Sequence, residues 1–469
     1  MSVKKGDIIT VEIESAAFEG KGVGHLDAQA VFVRNTAPGD IVKARVIKKK
    51  KNYLEAKLLE VEKAGPVRIE PRCQHAYICG GCTWQHIPYH EQLVIKRQHV
   101  EDHLHRIGGL TGLIPPDCLP SERAFYYRNK MEYSFGNRRW LTEEEILKKD
   151  EIRDKDTAVG LHVPGRYDRI LNLHECHLQD PVSFKIMDAI RTYSLEHDIP
   201  PFDVHQHTGY FRNVVIRTSD HYDDLMVNVV TYTDDDEIMQ DVTDMLLDKF
   251  PLITTVINNI NDTRSPTAVG RYEKIYHGPG YIRDKIGPFS FNIHANAFFQ
   301  TNTRQAERLY DTAVRFADIQ PEDHVYDLYC GVGTLTLYAS QFATSVVGIE
   351  INEVAIENAR KNAAENGIAN CKFLTGDMKD LFTAGTIEKY GKPDLIITDP
   401  PRSGMHPDVV RQLLDLKAGK IVYVSCNSST LARDLKELNE LYEITDVQPV
   451  DMFPQTYHIE TVANLQLRH

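Results

Sequence analysis

The sequence, 469 residues long, lacks any long hydrophobic run. No stretch approaches the ~20 apolar residues that a helix needs to span a bilayer. The first residues, Met1 to Asp7, also lack the apolar stretch of a secretory signal peptide. These absences predict a cytoplasmic protein with no membrane partner. In that reducing compartment we expect the eight cysteines to be thiols or metal ligands rather than disulfides.

An excess of positive charge is also missing, because the formal net charge is −13 at pH 7. This balance argues against a generic nucleic-acid-binding protein. The charge is uneven, with a net +4 over residues 1–72 and −17 over the remainder. Any nucleic acid must therefore bind at local basic patches. The lysine run at 48–51 is a candidate, and a solvated strand end or turn is an equally good interpretation of it.

Internal repeats and low-complexity segments are absent too, and the length predicts two to four domains. Short, evenly spaced strands in residues 1–62 predict a small OB-like β-barrel. Residues 63–285 have the pattern of a mixed α+β central domain. Within it, the helix near 89–107 is expected to pack on the catalytic domain, and the charged segment 141–156 to be an exposed insertion. Strands and helices alternate over 286–469, which predicts an α/β fold with a doubly wound, Rossmann-like parallel sheet.

A glycine-rich turn follows one of these strands, but it lacks the third glycine of a dinucleotide-binding fingerprint. Gly331 and Gly333 are present, and Thr336 stands where the third glycine would be. Glu350 ends the next strand, 19 residues after Gly331, and can accept both hydroxyls of a ribose. Asp377 follows the third strand, where it can bind an adenine amino group. This ordered set resembles S-adenosylmethionine-dependent methyltransferases; an NAD site and a non-binding α/β domain are the alternatives.

A second motif, Asp399-Pro400-Pro401-Arg402, follows another strand and lacks the final Tyr or Phe of enzymes that methylate exocyclic amines. That aromatic residue stacks on the base, so Arg402 disfavours amine chemistry. Carbon 5 of uracil is a different target, because it is not nucleophilic enough by itself. A thiolate that adds to carbon 6 makes an enolate whose carbon 5 can take a methyl group, and a base must then remove the carbon 5 proton.

Cys426 and Glu460 suit these two roles by position. Cys426 comes at the end of the apolar strand 421–424, and the carboxyl edge of an open α/β sheet is where ligands bind. A cysteine near a strand end is otherwise most often a buried small hydrophobe. Glu460 lies at the edge of the last strand, where a carboxylate with a raised pKa can act as a general base.

Together these motifs resemble the RNA 5-methyluridine (uracil-C5) methyltransferases, and the resemblance covers essentially the whole chain. The matching segments are residues 298–302, 327–334, 399–402, 425–427, 430–434 and 451–460. The resemblance implies that Cys426 is the nucleophile, that Glu460 is the base, and that Asp399 and Arg402 face the target uracil. It also implies a pocket for S-adenosylmethionine lined by Gln300, Tyr329, Thr334, Glu350, Asp377 and Asp399.

Three cysteines, Cys73, Cys79 and Cys82, lie within ten residues and suggest a metal centre. Zinc sites usually show two paired Cys-x2-Cys units, and only one pair is present here. An iron–sulfur cluster allows a remote fourth thiolate, for which Cys118 and Cys176 are the candidates. The family resemblance implies a [4Fe–4S] cluster on Cys73, Cys79, Cys82 and Cys176.

The predicted N-terminal barrel resembles the TRAM domain, an RNA-binding module. TRAM and cluster together resemble the ribosomal RNA branch of the family, so we expect a monomeric enzyme that methylates a uridine flipped out of structured RNA, in 23S rRNA. The same chemistry on tRNA is one alternative. A non-catalytic RNA-binding or assembly factor is a second, and methylation of cytosine carbon 5 or of an amine is a third.

Overall fold

In a computed structural model of the chain, the described residues are 3–148, 152, 154, 156–265, 267–381 and 384–468. They form two compact units. The first unit comprises Met1–Arg72, Thr83–Ala124 and Arg304–His469, and the second comprises Cys73–Cys82 and Phe125–Thr303. The division into three consecutive domains stays a prediction. Within the described residues, every helix is too short or too polar to cross a bilayer.

The first unit begins with a six-stranded sheet of order β1-β5-β6-β4-β3-β2. Its strands are β1 (Ile8–Glu12), β2 (Ser15–Ala16), β3 (Gly22–Leu26), β4 (Gln29–Val33), β5 (Ile41–Lys49) and β6 (Tyr53–Lys63). Buried and exposed residues alternate along β1, which is the period of a strand with one face on a core. That core is small and aliphatic, and includes Val31, Val42 and Leu54. Helix α1 (Tyr89–Arg106) follows.

The second unit contains a seven-stranded mixed sheet of order β13-β12-β11-β10-β7-β8-β9 and a separate hairpin of β14 and β15. Its strands are β7 (Lys130–Gly136), β8 (Ala158–Val163), β9 (Arg166–Asn172), β10 (Phe211–Thr218), β11 (Leu225–Thr231), β12 (Thr255–Ile260), β13 (Tyr272–His277), β14 (Tyr281–Ile286) and β15 (Phe289–His294). Its helices are α2 (Glu143–Leu147), α3 (Pro181–Glu196) and α4 (Asp236–Lys249).

Helices α3 and α4 bury apolar side chains in one core with the sheet, through Ile186 and Ile190 of α3 and Val242 of α4. Part of the predicted insertion 141–156 lies outside the described residues. Within it, α2 is a short helix that begins with a capping box, in which Thr142 and Glu145 exchange side-chain and backbone hydrogen bonds.

The rest of the first unit is a seven-stranded sheet of order β18-β17-β16-β19-β20-β22-β21. Its strands are β16 (His324–Leu328), β17 (Ser345–Glu350), β18 (Cys371–Thr375), β19 (Leu395–Thr398), β20 (Lys420–Ser425), β21 (Tyr442–Val450) and β22 (Glu460–Leu467). The helices are α5 (Thr303–Ala317), α6 (Thr334–Ser340), α7 (Glu353–Glu365), α8 (Met378–Leu381), α9 (Ala384–Tyr390), α10 (Pro407–Leu416) and α11 (Ser428–Leu438).

Strands β16 to β20 are mutually parallel, and β22 and β21 are antiparallel. The carboxyl ends of the five parallel strands therefore meet at one edge. Strand β22 lies between β20 and β21, which brings the start of the last strand to the same edge. Val100 and Leu104 of α1 belong to the same buried core as Leu431 and Leu435 of α11.

Candidate active site

The glycine turn lies between β16 and α6 at the carboxyl edge of the parallel sheet. Its φ angles are positive at Tyr329 (66°), Gly331 (55°) and Gly333 (80°), a conformation that glycine adopts at little cost. A Cβ added to Gly331 would meet no atom within 4 Å, whereas one on Gly333 would lie 3.0 Å from the Phe373 ring. Gly331 thus borders open space, and Gly333 allows the turn to pack closely against Phe373.

Two carboxylates follow the neighbouring strands. Glu350 ends β17 and accepts hydrogen bonds from the backbone N–H groups of Gly331 (3.3 Å) and Asn352 (2.9 Å). Asp377 follows β18 and pairs with the Lys379 ammonium at 3.2 Å, an interaction that lowers the pKa of Asp377. Both side chains are partly exposed, so each still has carboxylate surface to offer a ligand.

Of the six residues predicted to line the cofactor pocket, Gln300 belongs to the second unit and the other five belong to the first. Thr334 begins α6, and its Oγ1 lies 3.0 Å from the Tyr310 hydroxyl. Gln300 belongs to the second unit, where its carbonyl accepts a hydrogen bond from the Asn129 amide at 2.7 Å. The sheet edge brings together the remaining five predicted residues: Tyr329, Thr334, Glu350, Asp377 and Asp399.

Sequence reasoning gave no role to Asp327, which lies near the end of β16 and is buried. The Thr336 hydroxyl donates to its carboxylate at 2.5 Å. Burial raises the pKa of Asp327 to about 7, and the nearby carboxylates of Asp399 and Glu350 also raise it. This edge of the sheet is therefore an acidic, poorly solvated environment, which suits a cationic ligand.

The Asp-Pro-Pro-Arg loop is tied to the cysteine loop by hydrogen bonds to the Arg402 carbonyl. The Asn427 amide donates to it at 3.0 Å and the Thr430 hydroxyl at 3.3 Å. Buried Asp434 of α11 also holds this loop, because it accepts a hydrogen bond from the Met405 backbone N–H at 3.0 Å. The guanidinium of Arg402 is exposed and donates to Nδ1 of His458 at 2.8 Å.

Cys426 directly follows β20 and is partly buried. In the pairing of β20 with β22, Ser425 lies opposite Thr461, so Cys426 and Glu460 are neighbours across the two strands. Burial raises the pKa of the Cys426 thiol to about 11, and the carboxylates of Glu460 and Asp399 contribute to that rise. Arg402 acts in the opposite direction and favours the thiolate.

Glu460 and Asp399 are two carboxyl groups that interact electrostatically at a site where both are largely removed from solvent. Burial raises the pKa of Glu460 well above its ordinary value, with a further contribution from Asp399 and an opposing one from Arg402. Burial also raises the pKa of Asp399 to about 7. Two such groups cannot both ionise easily at neutral pH. The pair can therefore accept or hold a proton beside the thiol.

Helix α1 anchors the loop that precedes Glu460 through two side chains, Lys96 and Gln92, to which sequence reasoning gave no role. The Lys96 ammonium donates to buried Asp451 at 2.6 Å, and both side chains are fully buried. Gln92 and Gln455 exchange two hydrogen bonds, of 2.9 and 3.0 Å. Nothing near Lys96 or Gln92 in the sequence signals this role, because their partners are more than 350 residues away along the chain.

A second unpredicted set of contacts links the barrel, α1 and the two catalytic loops. The ring of Phe18 lies edge-on to those of His103 (4.9 Å between centroids) and Tyr457 (5.9 Å). Nδ1 of His103 lies 2.8 Å from the hydroxyl of Ser428, two residues after Cys426. Burial lowers the pKa of His103 to about 4, so this histidine is neutral. The N-terminal barrel thus packs directly on the segment that precedes the candidate base, and it reaches the segment of the candidate nucleophile through His103 of α1.

The four cysteines predicted to hold a cluster all lie in the second unit, and none of the four is in a disulfide bond. Burial raises the pKa of Cys79, and so do its neighbours Cys82, Cys176 and Cys73. The Cys79 sulfur also accepts a 3.4 Å hydrogen bond from the Gly81 N–H. Cys118, the alternative to Cys176 as the fourth ligand, lies in the core of the first unit.

The chemistry of this donor set fits an iron–sulfur cluster, since it offers four thiols and an N–H···S hydrogen bond. Nevertheless, within the described ranges no three His, Cys, Asp or Glu side chains are grouped so that they could hold a metal ion. The thiols are therefore neighbours without being arranged as ligands.

A family model described as tRNA (uracil-5-)-methyltransferase matches residues 269–468, and a TRAM domain model matches residues 2–59. An uncharacterized RNA methyltransferase of Chlorobaculum tepidum is 42% identical over 98% of this chain and 96% of its own length. The chain belongs to the tRNA (uracil-5-)-methyltransferase family. A second RNA methyltransferase, of Bacteroides thetaiotaomicron, is 40% identical over 96% of this chain and 100% of its own length.

One solved structure is similar to this chain over nearly its whole length. The Pyrococcus abyssi tRNA (uracil-54, C5)-methyltransferase, in complex with S-adenosyl-L-homocysteine, has a TM-score of 0.76 and 28% identity, over 97% of this chain and 100% of that one. Membership confirms the predicted α/β fold with an N-terminal TRAM domain. It also confirms the enzyme class, an S-adenosylmethionine-dependent RNA uracil-5-methyltransferase.

Proposed function

We propose that this enzyme methylates carbon 5 of a uridine in RNA, with Cys426 as nucleophile and Glu460 as general base. The register of β20 and β22 supports the proposal most directly, because it sets Cys426 beside Glu460 at the ligand-binding edge of the sheet. The mutual effects of Cys426, Glu460, Asp399 and Arg402 on their pKa values support it further.

The first step is the addition of the Cys426 thiolate to carbon 6 of the uracil ring. The thiol must first lose its proton, and its pKa of about 11 makes this costly at neutral pH. Arg402 favours the thiolate, whereas the negative charge of Asp399 disfavours it. Asp399, with a pKa of about 7, can accept the thiol proton, and its own charge is then removed from beside the thiolate. Arg402 can also stabilise the enolate oxygen that forms as the C–S bond is made.

The last step is proton removal and elimination. Once carbon 5 carries the methyl group, the base must take the carbon 5 proton so that the electron pair can expel the Cys426 thiolate. Glu460 suits this step because burial raises its pKa, which makes its ionised form a stronger base than an ordinary carboxylate. The proton ends on Glu460, and the free thiolate is regenerated.

The residues at the sheet edge fit the methyl donor. S-adenosylmethionine supplies an electrophilic methyl group on a sulfonium. Glu350 would bind the ribose hydroxyls and Asp377 the adenine amino group, and both carboxylates are partly exposed. The open space above Gly331 leaves room for the ligand, and the acidic character of the edge suits the positive charge of the sulfonium.

For the RNA, we propose 23S rRNA, on the basis of the TRAM domain together with the four-cysteine cluster. Transfer RNA is the second candidate, since both the matching family and the Pyrococcus abyssi structure are named for tRNA. Nucleoside mass spectrometry of both RNAs, from cells with and without the gene, decides between them. The matched control is a deletion strain that expresses Cys426→Ala.

Loss of 5-methyluridine from 23S rRNA, restored by the wild-type gene and not by Cys426→Ala, is the expected result. Loss from tRNA alone would keep the reaction and replace the substrate. An unchanged 5-methyluridine content in both RNAs would contradict the proposed function and favour an RNA-binding or assembly factor.

We also propose that Cys73, Cys79, Cys82 and Cys176 hold a [4Fe–4S] cluster. The support is the family resemblance at these four positions and the N–H···S hydrogen bond at Cys79. Because the four thiols are not arranged as ligands in this structure, they must come together when the cluster binds. Anaerobically purified protein should contain about four iron and four acid-labile sulfide atoms per chain, and Cys176→Ser should lower both, whereas Cys118→Ser should lower neither. One zinc and no sulfide, or no metal, would contradict the proposal independently of methyl transfer.

A further inference from the structure

The second unit contains a cavity of about 840 Å³ that the proposed reaction does not use. Ligand sites typically have volumes of about 300–1,000 Å³. The wall of the cavity includes Ser134 and Asn213, which adjoin the core residues Tyr133 and Val214 along β7 and β10. Because neighbours in a strand face opposite sides, this wall is on the sheet face away from the helix-packed core.

The cavity presents aromatic rings at two depths. Phe202 is buried, and the guanidinium of Arg212 lies over its ring at 4.2 Å from the centroid. Arg212 is itself buried and donates to the carbonyls of Asn261 (2.5 Å) and Thr263 (2.7 Å), so this platform is fixed. Tyr167, in contrast, is 74% exposed at the rim. Tyr167 is therefore the ring on which an unpaired base can stack, and the buried Arg212–Phe202 pair forms a rigid wall of the same cavity.

The charge of the wall is positive although the whole chain carries −13. Arg166 and Arg264 are exposed on it. The carboxylate on the wall, Asp168, is already paired with Arg138 at 3.0 Å. A phosphodiester backbone would therefore meet two guanidinium groups and a neutralised carboxylate.

Two amide side chains complete the wall, and each is held in one orientation. The Asn137 amide donates to Asp203 at 2.6 Å, and the Asn213 amide donates to Ser134 at 3.2 Å. Oriented amides, aromatic rings and guanidinium groups are the usual means by which proteins bind the edges, faces and phosphates of single-stranded RNA.

We propose that this cavity binds an unpaired nucleotide of the substrate RNA, with the base stacked on Tyr167 and the adjoining phosphates on Arg166 and Arg264. The inference rests on the proposed function insofar as RNA is the substrate. It assigns to the second unit a single-strand-binding role that is separate from the chemistry of Cys426. The aromatic platform favours RNA over an acidic peptide, because it offers stacking that a peptide backbone does not use.

The test measures the affinity of the full-length enzyme for a fluorescein-labelled, 12-nucleotide single-stranded RNA of mixed sequence. Tyr167→Ala should weaken binding about tenfold, through the loss of one stacked base. Arg166→Ala/Arg264→Ala should also weaken binding and flatten its dependence on salt, by roughly one contact per arginine. The matched controls are Tyr272→Ala and Arg271→Ala, at exposed residues of the same unit outside the cavity.

A crosslinking measurement identifies the site directly. RNA of the same sequence with 4-thiouridine is irradiated on the enzyme, and the attached peptides are mapped by mass spectrometry. Crosslinks to Tyr167 or to residues 202–204 are expected, and Tyr167→Ala should remove the former. Wild-type affinity in all cavity variants, with crosslinks only elsewhere, would overturn the inference.

Methyl transfer by the same variants separates this inference from the proposed function. If the wild-type enzyme methylates RNA and the cavity variants bind RNA as it does, the cavity assignment fails alone. If the wild-type enzyme methylates no RNA while the cavity variants lose RNA binding, the proposed function fails and the cavity assignment stands.

Discussion

Cys371 and Cys426 lie on the same parallel sheet, and burial raises the pKa of each thiol to about 11. Cys371 begins β18 and Cys426 follows β20, so the two thiols lie at opposite edges of the sheet. Around Cys371, the other influences on its pKa are the Ser340 hydroxyl and the more remote charge of Asp327. Around Cys426 they are two carboxylates and the Arg402 guanidinium.

The comparison shows that a raised pKa does not by itself mark a nucleophile. Both thiols are protonated at neutral pH, and of the two only Cys426 has an arginine and two carboxylates of raised pKa among the influences on its pKa. The topology explains the difference, because loops that follow parallel strands gather at the carboxyl edge and those that precede them gather at the other. Four experiments test this contrast.

Replacement of Cys426 gives the largest expected effect. Cys426→Ala should lower methyl transfer by roughly a thousandfold or more, because the route through carbon 6 requires the covalent adduct. Binding of S-adenosylmethionine, measured by calorimetry, should stay as in the wild type. Cys371→Ala is the matched control and should keep near-normal turnover. Equal loss in the two variants would mean that burial, rather than position at the edge, accounts for the effect.

Replacement of Glu460 should stop the reaction after the methyl group has been transferred. Glu460→Gln should slow turnover by about 10²–10⁴-fold, the usual contribution of a positioned base. Elimination requires removal of the carbon 5 proton, so methylated RNA should accumulate on Cys426 as a denaturant-stable adduct on a gel. Glu443→Gln, an exposed carboxylate at the far end of the β21–β22 pair, is the control. Slow turnover without an adduct would assign the proton transfer to another group.

The positions of the reactive groups could be predicted from the sequence where each follows a recognisable strand. Cys426 and Asp399 come directly after short apolar runs, and the rule for parallel strands then places them at one edge. Glu460 is harder to place, because it begins its strand instead of following one. Glu460 lies at the carboxyl edge of the parallel strands only because β22 is antiparallel to β20 and lies next to it.

The supports of the site could not be predicted in the same way. Lys96 and Gln92 lie on a helix whose partners are more than 350 residues away, and such pairs leave no periodic or local signal. Packing of Phe18 against His103 and Tyr457 is equally non-local. For the cysteine cluster, spacing showed that the thiols of Cys73, Cys79 and Cys82 are close in sequence, but not whether they are arranged as ligands.

Replacement of Lys96, which anchors the loop before Glu460, should lower the free energy of unfolding without changing a reacting group. Lys96→Met would leave Asp451 as an unpaired charge in a fully buried place, which typically costs about 3–5 kcal/mol. The midpoint of urea unfolding should fall accordingly. Arg106→Met, at an exposed ion pair of the same helix, should change stability by less than about 1 kcal/mol. If Lys96→Met is as stable as the wild type, the buried pair does not hold the loop before Glu460.

Replacement of Arg402 should produce the smallest effect. It should change the reactivity of the Cys426 thiol and leave that of the Cys371 thiol unchanged. Arg402 lowers the pKa of Cys426, so Arg402→Ala should raise that pKa, and the thiolate should then form only at higher pH. At any pH well below the pKa, a rise of one in the pKa makes the thiolate about tenfold scarcer. Iodoacetamide alkylation at several pH values, read peptide by peptide, should therefore slow at Cys426 and stay unchanged at Cys371, which has no arginine among the influences on its pKa. Arg402→Lys should be intermediate, and Arg411→Ala, an exposed arginine on α10, should change neither thiol. Equal slowing at both cysteines would mean that Arg402 acts through the sheet as a whole, and the contrast between the two edges would then be lost.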